Sequence, residues 1–135
     1  MFRLKILLLL AGVLLAVQVV PAADPPDKVI ATRKVTGVYL RHDIGDYCHT
    51  DFRTQEGQEM SFWTPCAMIY FFKAFKGKPV QLTYQVVDRY IPEARRVQRI
   101  EVVVDAKAGS LSFKEWMRKN RLTEANIHQR LGPLD

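Results

Sequence analysis

Cys48 and Cys66 stand eighteen positions apart and are the only cysteines in the sequence. The stretch between them alternates as an extended chain does. Cys48, Thr50 and Phe52 fall on one face of a strand, and Tyr47, His49 and Asp51 on the other. Thr54 to Gln58 is polar and contains Gly57, a turn signal. Glu59 to Trp63 reads as the returning strand, with Met60 and Phe62 on one side. A turn centred near Glu56 sets Cys48 opposite about position 64, a short step from Cys66. The register therefore predicts a Cys48–Cys66 disulfide, with two buried thiols as the alternative. Closing a loop of this length stabilises a fold by about 3 kcal/mol in the chain-entropy model.

Disulfides persist in oxidising compartments, and the N-terminus agrees with that address. Arg3 and Lys5 precede an apolar run from Ile6 to Val20, and Pro21-Ala22-Ala23 offers a cleavage site. This is the pattern of a secretory signal peptide over residues 1–22. The rival is an uncleaved anchor, but a spanning helix needs about 20 apolar residues. The run here is shorter, and Gln18 and Pro21 interrupt it. Export to the periplasm or the extracellular space is the expectation, with no membrane span left after cleavage. Loss of residues 1–22 removes two bases and no acid, leaving 18 basic and 14 acidic residues, a net of +4. That mild excess slightly favours acidic partners.

Residues 23–27 form a Pro-rich leader, and 28–135 read as one domain. Lys28 to His42 is rich in Val, Thr, Ile and Tyr and predicts one long strand or two, broken near Gly37. After the hairpin, Pro65 to Lys78 carries Met68, Ile69, Tyr70, Phe71, Phe72 and Phe75, then Gly77 and Pro79. The Gly-then-Pro ending predicts a short helix, with a buried strand as the alternative. Val80 to Tyr90 alternates, with Val80, Leu82, Tyr84 and Val86 facing one way. Val97 to Ala106 predicts the last strand, with Ile100, Val102 and Val104 on one face. In the tail, Ser112 and Glu115 fit a capping box, and Phe113, Trp116 and Met117 share a helix face. A second helix is expected between Leu122 and Leu131, begun at Thr123 and stopped by Gly132-Pro133.

The order is three strands, a helix, two strands, then helices. The fold class is mainly β with short helices. The order resembles the OB-fold, a five-stranded barrel, here with the helix between strands 3 and 4 and extra C-terminal helices. The resemblance covers Val29 to Ala106 and rests on element order, the Gly37 bend and the Tyr47–Trp63 hairpin, as in small exported bacterial OB-like domains. It implies a ligand edge beside the loop between strands 1 and 2.

Two groups of residues offer chemistry. His42, Asp46 and His49 could approach a metal, but the spacing matches no metal motif. Asp43, Gly45 and Asp46 suit a plain turn better, so no metal site is assigned. Arg89, Arg95, Arg96 and Arg99 flank the turn at Pro92, with Tyr47 and Trp63 on an adjacent face. Arginines interleaved with aromatics suit an anionic chain such as a single-stranded nucleic acid or a glycan. The plain alternative is a solvated hairpin whose arginines pair with Glu93, Glu101 and Asp105. Export argues against intracellular nucleic acid as the partner.

Catalytic readings are weak. Cys48 and His49 are neighbours on a strand, so their side chains diverge. Glu56 and Glu59 straddle a turn. No serine nucleophile, phosphate loop or dinucleotide motif is present, and no cofactor is indicated. The expectation is an exported, non-enzymatic binding module for an anionic ligand. Its rivals are a protein-interaction or inhibitor domain using the aromatic helix, and a metal-assisted enzyme.

Overall fold

The computed structural model describes residues 23–135; the expected signal sequence over 1–22 lies outside the described residues. Half of the described chain is strand. The elements are β1 (Lys28–Ile44), β2 (Cys48–Thr54), β3 (Glu59–Trp63), α1 (Cys66–Ala74), β4 (Pro79–Ile91), β5 (Arg96–Ala108), β6 (Leu111–Ser112), α2 (Phe113–Lys119) and α3 (Ile127–Leu131). All five expected strands and the helix between the third and fourth are present. The leader 23–27 has no regular structure, and its last residue, Asp27, is held by Arg89.

β1 is the organising strand. Its first part pairs antiparallel with β4, from Lys28↔Asp88 to Val38↔Pro79. Its second part pairs antiparallel with β2, from Gly37↔Thr54 to Ile44↔Cys48. Gly37 and Val38 belong to both ladders. The strand is therefore one long element, the first of the two readings the sequence allowed. A Cβ at Gly37 would lie 2.9 Å from the Arg53 carbonyl oxygen and 3.3 Å from Phe52 Cβ. Glycine is required there because two strands converge on its backbone.

The sheet order is β3-β2-β1-β4-β5-β6, and a parallel contact from Trp63 of β3 to Val102 brings the first strand in this order onto β5. The hydrogen bonds thus run in a ring. Its main core holds Phe52, Phe62, Phe72, Leu82, Tyr84 and Val103, among other side chains. Five consecutive residues of α1, Met68 to Phe72, are buried. A helix buried all round has apolar neighbours on every side. Here Phe72 meets Phe52 of the ring edge-to-face at 4.8 Å, and Phe71 meets Trp116 of α2 at 5.6 Å. Tyr70 joins a second, smaller cluster with Met117, Leu122 and Ile127.

Two expectations need correction. On β5 the register shifts against Thr83/Tyr84 and passes over Val104. This bulge re-aims the strand. Val103 and Ala106 enter the core and Val104 is exposed, so Ile100, Val102 and Val104 do not form one buried face. In the tail, α3 begins at Ile127 rather than Thr123. Thr123 and Asn126 instead close a reciprocal turn, Asn126 N–H to Thr123 Oγ1 at 3.1 Å and Thr123 N–H to Asn126 Oδ1 at 2.7 Å. This is the reciprocal pair of a capping box, and Ile127 N–H bonds the Thr123 carbonyl at 2.9 Å, so the turn begun at Thr123 leads directly into α3. Ser112 does cap α2, its Oγ accepting from Glu115 N–H at 3.2 Å.

Candidate functional site

The hairpin places His49 opposite Trp63, and Thr64 N–H bonds the Cys48 carbonyl at 2.9 Å. Cys48 therefore stands opposite Thr64, as the sequence predicted. The disulfide to Cys66 is formed, with the Cα atoms 5.4 Å apart. It ties buried Cys48 on β2 to the exposed first residue of α1. A disulfide in this position is compatible with an oxidising compartment.

Two loops meet beside it. Between β1 and β2 the chain turns through Gly45, Asp46 and Tyr47. Between β4 and β5 it turns through Pro92 to Arg95, where Arg95 takes a left-handed φ of 52°. Tyr47 Oη donates to Glu93 Oε2 at 3.0 Å and so links the loops. The acceptor carboxylate raises the Tyr47 pKa above its ordinary value. The Tyr47 ring lies 4.3 Å from Trp63, and the His49 ring stands edge-on to Trp63 at 5.2 Å. A cleft of about 300 Å³ opens here, lined by Asp46, Tyr47, Trp63, Pro65, Arg89 and Val102, with the disulfide in its wall.

The arginines divide. Across the β4–β5 ladder Arg89 pairs with Gln98, Ile91 with Arg96, and Asp88 with Arg99. Directly opposed residues share a face, so Arg89 and Arg96 lie on one face and Arg99 on the other. Arg89 is held by Asp27 through contacts of 2.6, 3.0 and 3.1 Å. That bond raises the Arg89 pKa and lowers that of Asp27. Arg99 is paired with Asp88 at 2.9 Å. None of the expected acidic partners takes an arginine in these pairs. Glu93 accepts from Tyr47, and Asp105 accepts from the Ala106 N–H. The structure brings together Tyr47, Trp63 and Arg89. It sets Arg95 and Arg96 on and beside the adjoining loop, and it directs Arg99 away.

Sequence reasoning missed Asp27 and Asp46 as parts of this site. Asp27 lies 62 positions from Arg89, and no local pattern signals the pair. Asp88 was also missed as the partner of Arg99, although a turn over Pro92–Arg95 sets the two opposite each other.

The remaining candidates separate. His42 pairs with Thr50, and His49 with Asp43, so the two histidines leave opposite faces of the β1–β2 ladder. Among the described residues no group of three or more His, Cys, Asp or Glu side chains is placed to hold a metal ion. The His42 Nε2–H donates to the Asp135 main-chain oxygen at 2.7 Å, and Nδ1 meets the Tyr39 hydroxyl. Glu59 bonds Arg41 at 2.9 Å and Arg53 at 3.4 Å, and Asp51 bonds Arg41 at 2.8 Å. This paired network covers the outer face of β2 and β3 below the aromatic cluster. The aromatic side chains of α1 are core, Phe71 and Phe72 fully buried, and do not form an exposed stripe. Among the described residues no helix is long and apolar enough to cross a membrane.

In comparisons with known proteins, no family model, no curated protein and no solved structure matches this chain.

Proposed function

We propose that the protein is an exported, non-enzymatic binding module whose ring is an OB-like barrel. Its ligand is an anionic chain with flat units, a sulfated glycan before a nucleic acid. The fold reading is supported by the ring order, the parallel β3–β5 contact and the helix between β3 and β4. OB-folds bind chains on the face of strands 2 and 3, between the loops that follow strands 1 and 4.

One observation carries the functional reading. The Tyr47–Glu93 bond draws those two loops together over the Tyr47–Trp63 pair. A flat unit of the ligand stacks on this ledge, and Arg95 and Arg96 meet its charge at the rim. Arg89 and Arg99 add little net charge, since each already holds a carboxylate. Moderate, salt-sensitive affinity is the consequence. The signal pattern over 1–22 and the disulfide support export, which turns the choice toward a glycan.

The test is a salt titration of the oxidised protein against a sulfated glycan and single-stranded DNA. Binding is expected to fall with salt. The Arg95→Ala/Arg96→Ala double variant should flatten the slope by about 1.4 for a single-stranded polyanion. Trp63→Ala should weaken binding at every salt concentration. Absence of binding to either polyanion at low salt would sink the proposal.

A further inference from the structure

We propose that a second cleft, on the other side of the disulfide, binds a small apolar amine. This inference stands apart from the reading of the first cleft. The two share Cys48, Pro65 and Cys66 as a common wall and open to different surroundings.

The second cleft has a volume of about 570 Å³, within the range of small-molecule sites. Its walls come from four parts of the chain: Ile44 at the end of β1, Ala67 on α1, Ile127 on α3 and Leu134 in the C-terminal segment. These side chains make an apolar body site that fits a single ring. Tyr70, Glu124 and His128 supply the polar groups.

The hydrogen bonds fix what those groups can do. Tyr70 Oη donates to the Gly132 carbonyl at 2.7 Å, so its proton is committed. The 3.2 Å contact between Tyr70 Oη and His128 Nδ1 then requires Nδ1–H to donate. In a neutral imidazole this leaves Nε2 as an acceptor. Glu124 makes no ion pair or side-chain hydrogen bond among the described residues, and a carboxylate only accepts. Both remaining polar groups of the lining are therefore acceptors, and one carries negative charge. The matching ligand has an apolar ring and a donor-rich cationic head. Carboxylates and phosphates meet repulsion from Glu124 here.

The experiment is a methyl NMR titration of the oxidised protein with phenethylamine and, separately, 2-phenylethanol. Saturable shifts are expected at the methyls of Ala67, Ile127 and Leu134. Glu124 is exposed, and an exposed ion pair is modest, so the amine should bind about fivefold more tightly than the alcohol. Glu124→Gln should erase that difference and leave the alcohol unchanged. Ala67→Phe should fill the cleft and abolish both sets of shifts. If that variant does not fold, Glu124→Gln decides alone, since its side chain is on the surface. No saturable shift with millimolar amine would overturn the proposal. So would equal affinity for amine and alcohol, or an unchanged amine preference in Glu124→Gln.

Discussion

Phe72 and Leu122 are both buried, yet they sit in cores of different build. Phe72 lies in the ring, where twelve buried side chains form one cluster. Its ring meets Tyr39, Phe52 and Phe71 at 4.8 to 6.3 Å. Leu122 lies in the cap made by α1, α2 and α3, where the cluster has four buried members. The cap relies more on polar ties. Tyr70 holds Gly132, Lys73 holds the Asp135 side-chain carboxylate at 3.2 Å, and His42 holds the Asp135 main-chain oxygen. A large apolar cluster closed by strand pairing yields only as a whole. A small one tied by exposed hydrogen bonds can open by itself. The second cleft lies where the cap meets the ring, so its occupancy should follow the state of the cap.

The largest expected effect breaks the ring. Phe72→Ala removes a fully buried aromatic from strand-enclosed surroundings and should cost about 4 kcal/mol. Leu122→Ala should cost about 2.5 kcal/mol, and the loss should be local. Denaturant melts would measure the first. Hydrogen exchange would separate the second, with protection lost across α2 and α3 while β2 and β4 keep theirs. Equal loss of protection in β2 and in α2 for Leu122→Ala would show that ring and cap form one cooperative unit.

Reducing the disulfide sharpens the same contrast at the junction. The bond joins β2 to the start of α1, the helix that serves both cores. Its removal should lower global stability by about 3 kcal/mol through the unfolded chain. The cost should appear in full in a Cys48→Ala/Cys66→Ala variant, measured by equilibrium unfolding. The ring should still fold, because Thr64 N–H continues to bond the carbonyl at position 48 and Phe72 remains in place. Collapse of the β2–β3 ladder in that variant would show that the bond, and not the aromatic core, organises this edge.

The ring was more legible in the sequence than the cap, and the reason is periodicity. Cys48, Thr50 and Phe52 alternate, as do Val80, Leu82, Tyr84 and Val86, and each set is buried. A period of two names a strand and its inner face together. The α1 helix carries no such signal, because five consecutive buried residues leave no polar face. Gly77 and Pro79 marked it instead. The β5 bulge was invisible, since Val102, Val103 and Val104 are chemically alike and only the partner strand decides which one is passed over. Within the candidate site, Tyr47, Trp63 and the arginines were readable by residue type. Their division between faces was not drawn from the sequence, although the Pro92 turn contains it. The acids that hold Arg89 and Arg99 show the same split. Asp88 follows from hairpin register, and Asp27 follows only from the fold.

The smallest expected effect lies outside both cores, at Asp27. Its bond to Arg89 lowers its pKa below the ordinary 3.8. A carboxylate whose folded pKa lies below its unfolded one adds stability above the unfolded value and loses it as pH falls through the folded value. Asp27 and Arg89 are each about one-third exposed, at 36% and 32%, so solvent weakens the pair and about 0.5 kcal/mol is expected. Asp27→Asn should be less stable than the parent by that amount at neutral pH. The gap should close as pH falls below 3.8. Denaturant midpoints of both proteins at neutral and acid pH measure it. A gap that persists in acid would show that the substituted amide disturbs the packing of the leader on β4 and that charge is not the cause. The same variant also bears on the first cleft. Releasing Arg89 from its carboxylate leaves an uncompensated cation at the base of the Tyr47–Trp63 ledge, so polyanion binding there should strengthen even as the fold weakens slightly.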